Sequence, residues 1–246
     1  MRKSVMLIAA LAALPVAGAV AASPANAAGP YPGAYNWTGL YLGGEAGWSW
    51  ATQQITHVTG ATSFPAGSVD APLDQNGPLA GIYAGYNYQM NQFLVGIDGD
   101  ITTTDMTGTG RDVSPVNGDV ASHSDLINWI ATATGRVGYV NNNLLLFAKG
   151  GWAWAPFSES NILRTPGGGL VNNSTSSGTR DGWTVGAGLE WGFADHWSAK
   201  LEYDYIGFDT ANYLSTVTAA AGAVSTEARS ATSSLSMLKG GVAFRF

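Results

Sequence analysis

The last fourteen residues constrain the fold most, because they form one strand pattern with two chemically different faces. This segment runs from Ser233 to Phe246 and reads SSLSMLKGGVAFRF. Side chains of a strand alternate between its two faces. From Leu238 onward, one face therefore carries only apolar residues and glycine, whereas the other carries Lys239 and Arg245. The pattern predicts a strand whose apolar face meets lipid and whose charged face points into a closed barrel.

The N-terminal residues have the organisation of a secretory signal peptide. Two cations at positions 2 and 3 precede an apolar run from Val5 to Leu14, and Ala25-Asn26-Ala27 fits the small-residue cleavage pattern. We predict a signal peptide over residues 1–27 that is cleaved after Ala27. A retained transmembrane helix is the alternative, because the apolar stretch is almost long enough to span a bilayer.

Composition excludes several classes of protein. Charged residues make up 11% of the chain, less than half of the usual ~25%. The formal net charge is −6, which argues against nucleic acid as a partner. The absence of cysteine excludes disulfides and thiolate metal sites. Low charge and many aromatic residues, without a helical span in the mature chain, are typical of a membrane β-barrel.

Eight segments alternate with a period of two, and each is about long enough to cross a bilayer. They are Thr38–Gln53, Leu79–Met90, Phe93–Thr104, Asp125–Val140, Leu144–Ala155, Gly182–Phe193, Trp197–Phe208 and the C-terminal strand. The fifth is ambiguous, because its LLLF sequence is apolar on both faces. It places Lys149 inside only if Leu144 and Leu146 point outward.

The connections alternate strictly between short and long. Three short turns lie at residues 91–92, 141–143 and 194–196, and four long connections lie at about residues 54–78, 105–124, 156–181 and 209–232. This predicts an all-β fold, an eight-stranded antiparallel up-and-down transmembrane β-barrel with short periplasmic turns and long extracellular loops. Residues 28–36 are then a short N-terminal segment, and residues 37–246 form the barrel domain.

The inward positions collect nearly all strand charges. Because eight strands leave an interior that side chains can just fill, we predict a polar core that plugs the barrel. A narrow ion path lined by the same groups is the alternative. The predicted network comprises Glu45, Asp98, Asp100, Arg136, Lys149, Glu190, Lys200, Glu202, Asp204, Lys239 and Arg245.

Several motifs resemble one protein family. They are WTGLYLGGEAGW, AGIYAGYNYQ followed by FLVGIDGDI, ATATGRVGYV, WTVGAGLEWGFADHWSAKLEYDYIGF and the ending LKGGVAFRF. The chain resembles the alpha-proteobacterial outer-membrane immunogenic proteins of the 25/31-kilodalton type, within the opacity-like small barrels. The resemblance implies the outer membrane, an eight-stranded barrel and antigenic surface loops. It also implies that Val242, Phe244 and Phe246 form the signal for the barrel-assembly machinery.

The sequence offers little catalytic chemistry. His57 and His123 fall in long connections, where they could meet as axial haem ligands, and His196 falls in a short turn. No strand carries an outward histidine, which an acyl-transfer barrel enzyme needs near its nucleophile. We therefore predict no enzyme and assign no catalytic, cofactor or metal residue.

The expected role is structural, in envelope integrity and in the display of antigenic loops. Two alternatives remain open: a narrow-channel porin for small solutes, and binding of haem or another ligand by the extracellular loops. The expected partners are outer-membrane lipid, lipopolysaccharide and the barrel-assembly machinery.

Overall fold

The computed structural model describes residues 35–59, 65–70, 72–114, 118–219 and 224–246. The proposed cleavage site after Ala27 lies outside these residues. Across the described ranges, no helix is long and apolar enough to span a bilayer. The same ranges form nine strands: β1 Gly39–His57, β2 Leu73–Met90, β3 Phe93–Val113, β4 Val120–Asn141, β5 Leu144–Arg164, β6 Leu170–Ala194, β7 Trp197–Phe208, β8 Ala211–Ala219 and β9 Val224–Arg245.

Eight of these strands close into an antiparallel barrel, as predicted. Each of β1 to β7 pairs with the next, β7 pairs with β9, and β9 returns to β1. The closing ladder runs from Tyr41 opposite Arg245 to His57 opposite Arg229. Strand β8 lies on the side of the long hairpins, outside the membrane-spanning part. It pairs with β9, and two of its residues pair with β6.

The three predicted short turns are confirmed. Strand β2 ends at Met90 and β3 begins at Phe93, and the β4–β5 and β6–β7 connections are equally tight. Asn91 and Asn142 each adopt a φ of 55°. Asparagine tolerates this left-handed backbone better than most residues, which explains its use in both turns.

The strands continue further than the apolar alternation indicated. Pairing of β3 with β4 persists to Val113 opposite Val120, and pairing of β5 with β6 persists to Arg164 opposite Leu170. Most of the predicted second and third long connections is therefore hairpin strand. These extensions are rich in Ser and Thr and lie beyond the bilayer, where the outward face meets water and no longer needs apolar residues.

The facing of β5 is now defined. Lys149 is buried, Leu144 and Leu146 are exposed to the membrane side, and Leu145 and Phe147 point inward. The LLLF sequence is apolar on both faces because its inward residues belong to an apolar layer inside the barrel.

Two apolar layers fill the barrel interior. The periplasmic seal, beside the short turns, consists of Tyr35, Trp37, Leu94, Val140, Leu145 and Phe147. The outer seal, towards the long hairpins, consists of Ala51, Leu79, Met106, Ile127, Ile130, Ala153, Ala155, Ile206, Phe208, Leu235 and Met237. The polar middle of the barrel lies between these layers.

Candidate functional site

The structure places all eleven residues of the predicted charge network inside the barrel, and none is more than 6% exposed. They come from β1 and from β3, β4, β5, β6, β7 and β9. Charges buried this deeply must be paired, because desolvation of an isolated charge costs several kcal/mol. The contacts within the network therefore decide what the interior can do.

Lys239 is the centre of the network. Its Nζ lies 2.8 Å from Asp204 Oδ2, 3.0 Å from Glu202 Oε1, 3.1 Å from Glu45 Oε1 and 3.4 Å from Asp100 Oδ1. Its side chain is entirely inaccessible to solvent. One cation therefore joins carboxylates from β1, β3 and β7.

Two further lysines complete this cluster. Lys149 Nζ is 2.7 Å from Glu202 Oε1 and 3.3 Å from Asp204 Oδ2. Lys200 Nζ is 2.9 Å from Glu45 Oε2 and 3.2 Å from Glu202 Oε2. Each lysine thus bridges carboxylates, and Glu202 contacts all three lysines through its two oxygens.

Two arginines form a second cluster on the periplasmic side. Arg136 Nη2 donates to Glu190 Oε2 over 2.9 Å, and Arg245 Nη2 donates to Glu190 Oε1 over 3.4 Å. Ser198 Oγ donates to the same Oε1 over 2.7 Å. The Arg136 guanidinium also packs 4.1 Å from the centroid of the Phe147 ring, which connects the cluster to the periplasmic seal.

Tyr41 joins the two clusters. Its hydroxyl donates to Asp98 Oδ2 over 2.6 Å and accepts a hydrogen bond from Arg136 Nη1 over 3.1 Å. Sequence reasoning did not assign Tyr41 to the network. The available signal was the alternation itself, which places Tyr41 on the same face of β1 as Glu45.

Hydroxyl side chains also support the carboxylates, and these too were missed. Thr102 Oγ1 donates to Glu45 Oε1 over 3.2 Å, and Thr132 Oγ1 donates to Asp100 Oδ2. Both threonines lie on the inward face of their strands and are buried. The carboxylates of Glu45 and Asp100 therefore receive hydrogen bonds from hydroxyl groups as well as contacts from lysines.

Replacing Tyr41 with phenylalanine is expected to lower the free energy of unfolding by about 1–3 kcal/mol, because Asp98 and Arg136 each lose a buried hydrogen bond. Chemical unfolding of the refolded barrel measures this. Tyr86→Phe is the matched control, since Tyr86 lies on the outward face of β2 and is exposed. Equal losses in the two variants would contradict the bridging role of Tyr41.

The histidines do not form a site among the described side chains. His57 is buried at the end of β1, where its Nε2 lies 2.9 Å from Asp70 Oδ1. His123 belongs to β4, which is not adjacent to β1 in the barrel, and its side chain lies outside the described part. His196 Nδ1 lies 2.8 Å from the carbonyl oxygen of Arg245. In the described ranges, no group of three or more acidic or histidine side chains could hold a metal ion.

The predicted assembly residues lie at the periplasmic end of the chain. Val242 and Phe246 are exposed on the outward face, and Phe246 is the most exposed large apolar residue described, at 72%. The Phe244 ring packs against the rings of His196, Trp197 and Phe246, with centroids 5.2–5.5 Å apart. This aromatic group belongs to the membrane interface, where such rings are favoured.

Apolar outward residues, aromatic rings near the strand ends and charges confined to the interior define an integral outer-membrane β-barrel protein. The chain belongs to the outer membrane protein beta-barrel domain family, whose model matches residues 9–242. Its location is the outer membrane.

Named relatives agree with this family. The chain is 28% identical over 193 residues to the 31 kDa outer-membrane immunogenic protein of Brucella melitensis, which covers 73% of this chain and 75% of that protein. It is 28% identical over 184 residues to the 22 kDa outer membrane protein of Rhizobium leguminosarum. This match covers 75% of this chain and 70% of that protein. The resemblance seen in the sequence motifs is thereby confirmed.

Solved structures share the fold. The outer membrane protein OprG from Pseudomonas aeruginosa has a TM-score of 0.54 at 11% identity, over 86% of this chain and 99% of that chain. The outer membrane protease OmpT from Escherichia coli has a TM-score of 0.51 at 9% identity, over 86% of this chain and 98% of that chain. At these identities, the likeness concerns the fold alone.

Proposed function

We propose that this protein is a structural barrel that anchors extracellular hairpins in the outer membrane and does not conduct ions. Its role is in envelope integrity and in antigen display. The single observation that carries the proposal is the arrangement of the interior, in which directly paired charges are enclosed between two apolar layers. A conducting pore needs water-filled space along its charged groups, whereas acids and bases here are in contact.

The relatives support the surface part of this role. Proteins from Brucella that are similar to this chain are named as immunogenic, which fits hairpins that extend beyond the bilayer. No catalytic activity is proposed. His57 Nε2 pairs with Asp70 and His196 Nδ1 lies against a backbone carbonyl.

Lipopolysaccharide and outer-membrane lipid are the proposed surroundings of the outward face. The barrel-assembly machinery is the proposed partner during insertion, and Val242, Phe244 and Phe246 are the residues proposed to be recognised. The exposed side chains of Val242 and Phe246 and the half-buried ring of Phe244, all at the periplasmic end, support this. Cleavage after Ala27 is proposed on the sequence pattern, and N-terminal sequencing of the mature protein tests it.

Conductance is expected to be absent when the mature chain, from residue 28 onward, is refolded into a planar lipid bilayer. The measurement is single-channel recording over a range of salt concentrations, with gel mobility before and after heating as the control that the barrel has folded. Steady, discrete openings whose size changes in Lys200→Gln would overturn the proposal and make the protein a narrow porin.

A further inference from the structure

The residues that precede β1 lie inside the periplasmic mouth of the barrel. Trp37 is completely buried and Tyr35 is 6% exposed, although neither belongs to a strand. They pack against inward residues of β3, β4 and β5, such as Leu94 and Phe147. A short stretch of chain outside the β-ladder thus supplies the two largest side chains of the periplasmic seal.

Polar contacts hold this segment to several strands at once. Tyr35 N donates to Asn143 Oδ1 over 3.1 Å, at the turn between β4 and β5. Trp37 N donates to Gln89 Oε1 of β2 over 3.3 Å. The Tyr35 ring covers Gly192 of β6, where an added Cβ would lie 2.8 Å from the ring atom Cε2. The segment therefore crosses the mouth from β2 to β6.

Its shortest contact reaches the last strand. Arg245 Nη1 of β9 donates to the carbonyl oxygen of Trp37 over 2.6 Å, between residues 208 positions apart in the chain. The Arg245 guanidinium also lies 5.3 Å from the centroid of the Trp37 ring. At the same place, Phe246 N donates to the carbonyl oxygen of Leu40 over 3.0 Å. These contacts exist only after β9 has met β1.

We propose that residues 35–37 form a closure latch, which docks into the mouth once β1 and β9 have paired and holds that seam shut. The seam is the one ladder of the barrel that joins the first strand to the last, so it is the ladder that closure creates. A side chain that only filled the core would stabilise all ladders alike. The latch instead connects β9, through Arg245, to a segment continuous with β1.

The test uses the mature chain carrying Trp37→Ala, combined with engineered disulfides. The chain has no cysteine, so each introduced pair is unambiguous. Ala46→Cys with Gly240→Cys bridges the seam, since these residues are opposite each other on β1 and β9. Ile101→Cys with Ala131→Cys is the matched control on β3 and β4. The measurement is the unfolding rate in denaturant, oxidised and reduced.

Trp37→Ala is expected to unfold roughly 100-fold faster than the unmodified chain, as for truncation of a buried aromatic side chain. The seam disulfide is expected to bring the unfolding rate of Trp37→Ala back to within about threefold of the rate of the unmodified chain. The reason is that the disulfide holds β1 and β9 together in place of the latch. The control disulfide is expected to leave most of the loss in place. If both disulfides slowed the unfolding of Trp37→Ala equally, or if neither slowed it, the latch proposal would be overturned.

Trp37→Leu provides a second measurement, should Trp37→Ala not fold. Hydrogen exchange of this milder variant is expected to accelerate much more at amides between β1 and β9 than at amides between β3 and β4, although Leu94 of β3 and Val140 of β4 also belong to the periplasmic seal. Uniform acceleration across the barrel would show an ordinary core residue and would also overturn the proposal. Neither measurement depends on conductance, so a failure of the latch and a failure of the proposed function are distinguishable.

Discussion

Lys239→Met is expected to lower the free energy of unfolding by about 3–5 kcal/mol, as when one partner of a buried ion pair is removed. The variant leaves four carboxylates, from Glu45, Asp100, Glu202 and Asp204, without a cation that now lies within 3.4 Å of each. Methionine has a similar length and fits the space, so the loss reports charge rather than volume. Urea titration of the barrel refolded in lipid vesicles measures the change.

Two controls separate the network from a general effect of losing a cation. Arg164→Met removes an exposed cation whose described contact is a hydrogen bond to the carbonyl oxygen of Gly168, and its effect should stay within about 0.5 kcal/mol. The double variant Lys239→Met with Glu202→Gln removes one carboxylate charge as well, and it should recover part of the loss. A Lys239→Met variant as stable as Arg164→Met would show that the pairs do not hold the interior together.

Ile97→Arg is expected to cost about 2–4 kcal/mol, the usual cost of a cation on the lipid face near the bilayer midplane. Ile97 points outward from the membrane-spanning part of β3, four residues beyond Phe93, and is 67% exposed. Phe93→Arg is the matched control on the same strand and face. Phe93 is 64% exposed but directly follows the periplasmic turn, so its replacement should cost only about 0–1 kcal/mol. Unfolding titrations in vesicles compare the two variants.

The depth dependence is the informative part of that comparison. Both residues have nearly the same exposed fraction, so a water-soluble barrel would tolerate both replacements equally. Equal costs at the two positions would contradict burial of the outward face in hydrocarbon. A large difference would locate the midplane near the level of Ile97.

The sequence predicted the membrane-spanning barrel well because a period of two is a local signal. Asp98 and Asp100 on β3, for example, were assigned inward by alternation alone, and the structure places both in the interior. Facing was ambiguous only at LLLF. There, Leu145 and Phe147 pack with residues from other strands, and no local pattern reports such packing.

Features that depend on distant residues could not be predicted. Tyr35 and Trp37 precede the first strand and follow no periodicity, so their burial in the mouth had no sequence signal. The extension of β5 to Arg164 was also missed, because strands outside the bilayer lose their apolar face. Pairing of His57 with Asp70 depends on how the chain folds back after β1, and sequence spacing does not determine this.

The ion pairs of the interior join parts of the chain that are far apart in sequence. Lys239 and Asp100 are 139 positions apart, and Lys149 and Glu202 are 53 apart. A chain inserted one hairpin at a time would carry these charges into hydrocarbon before their partners arrive, at a cost of several kcal/mol each. High contact order also makes folding slow. Insertion of this barrel is therefore expected to be a concerted event. Its rate should be determined by the time that all eight strands need to pair and enclose the interior charges.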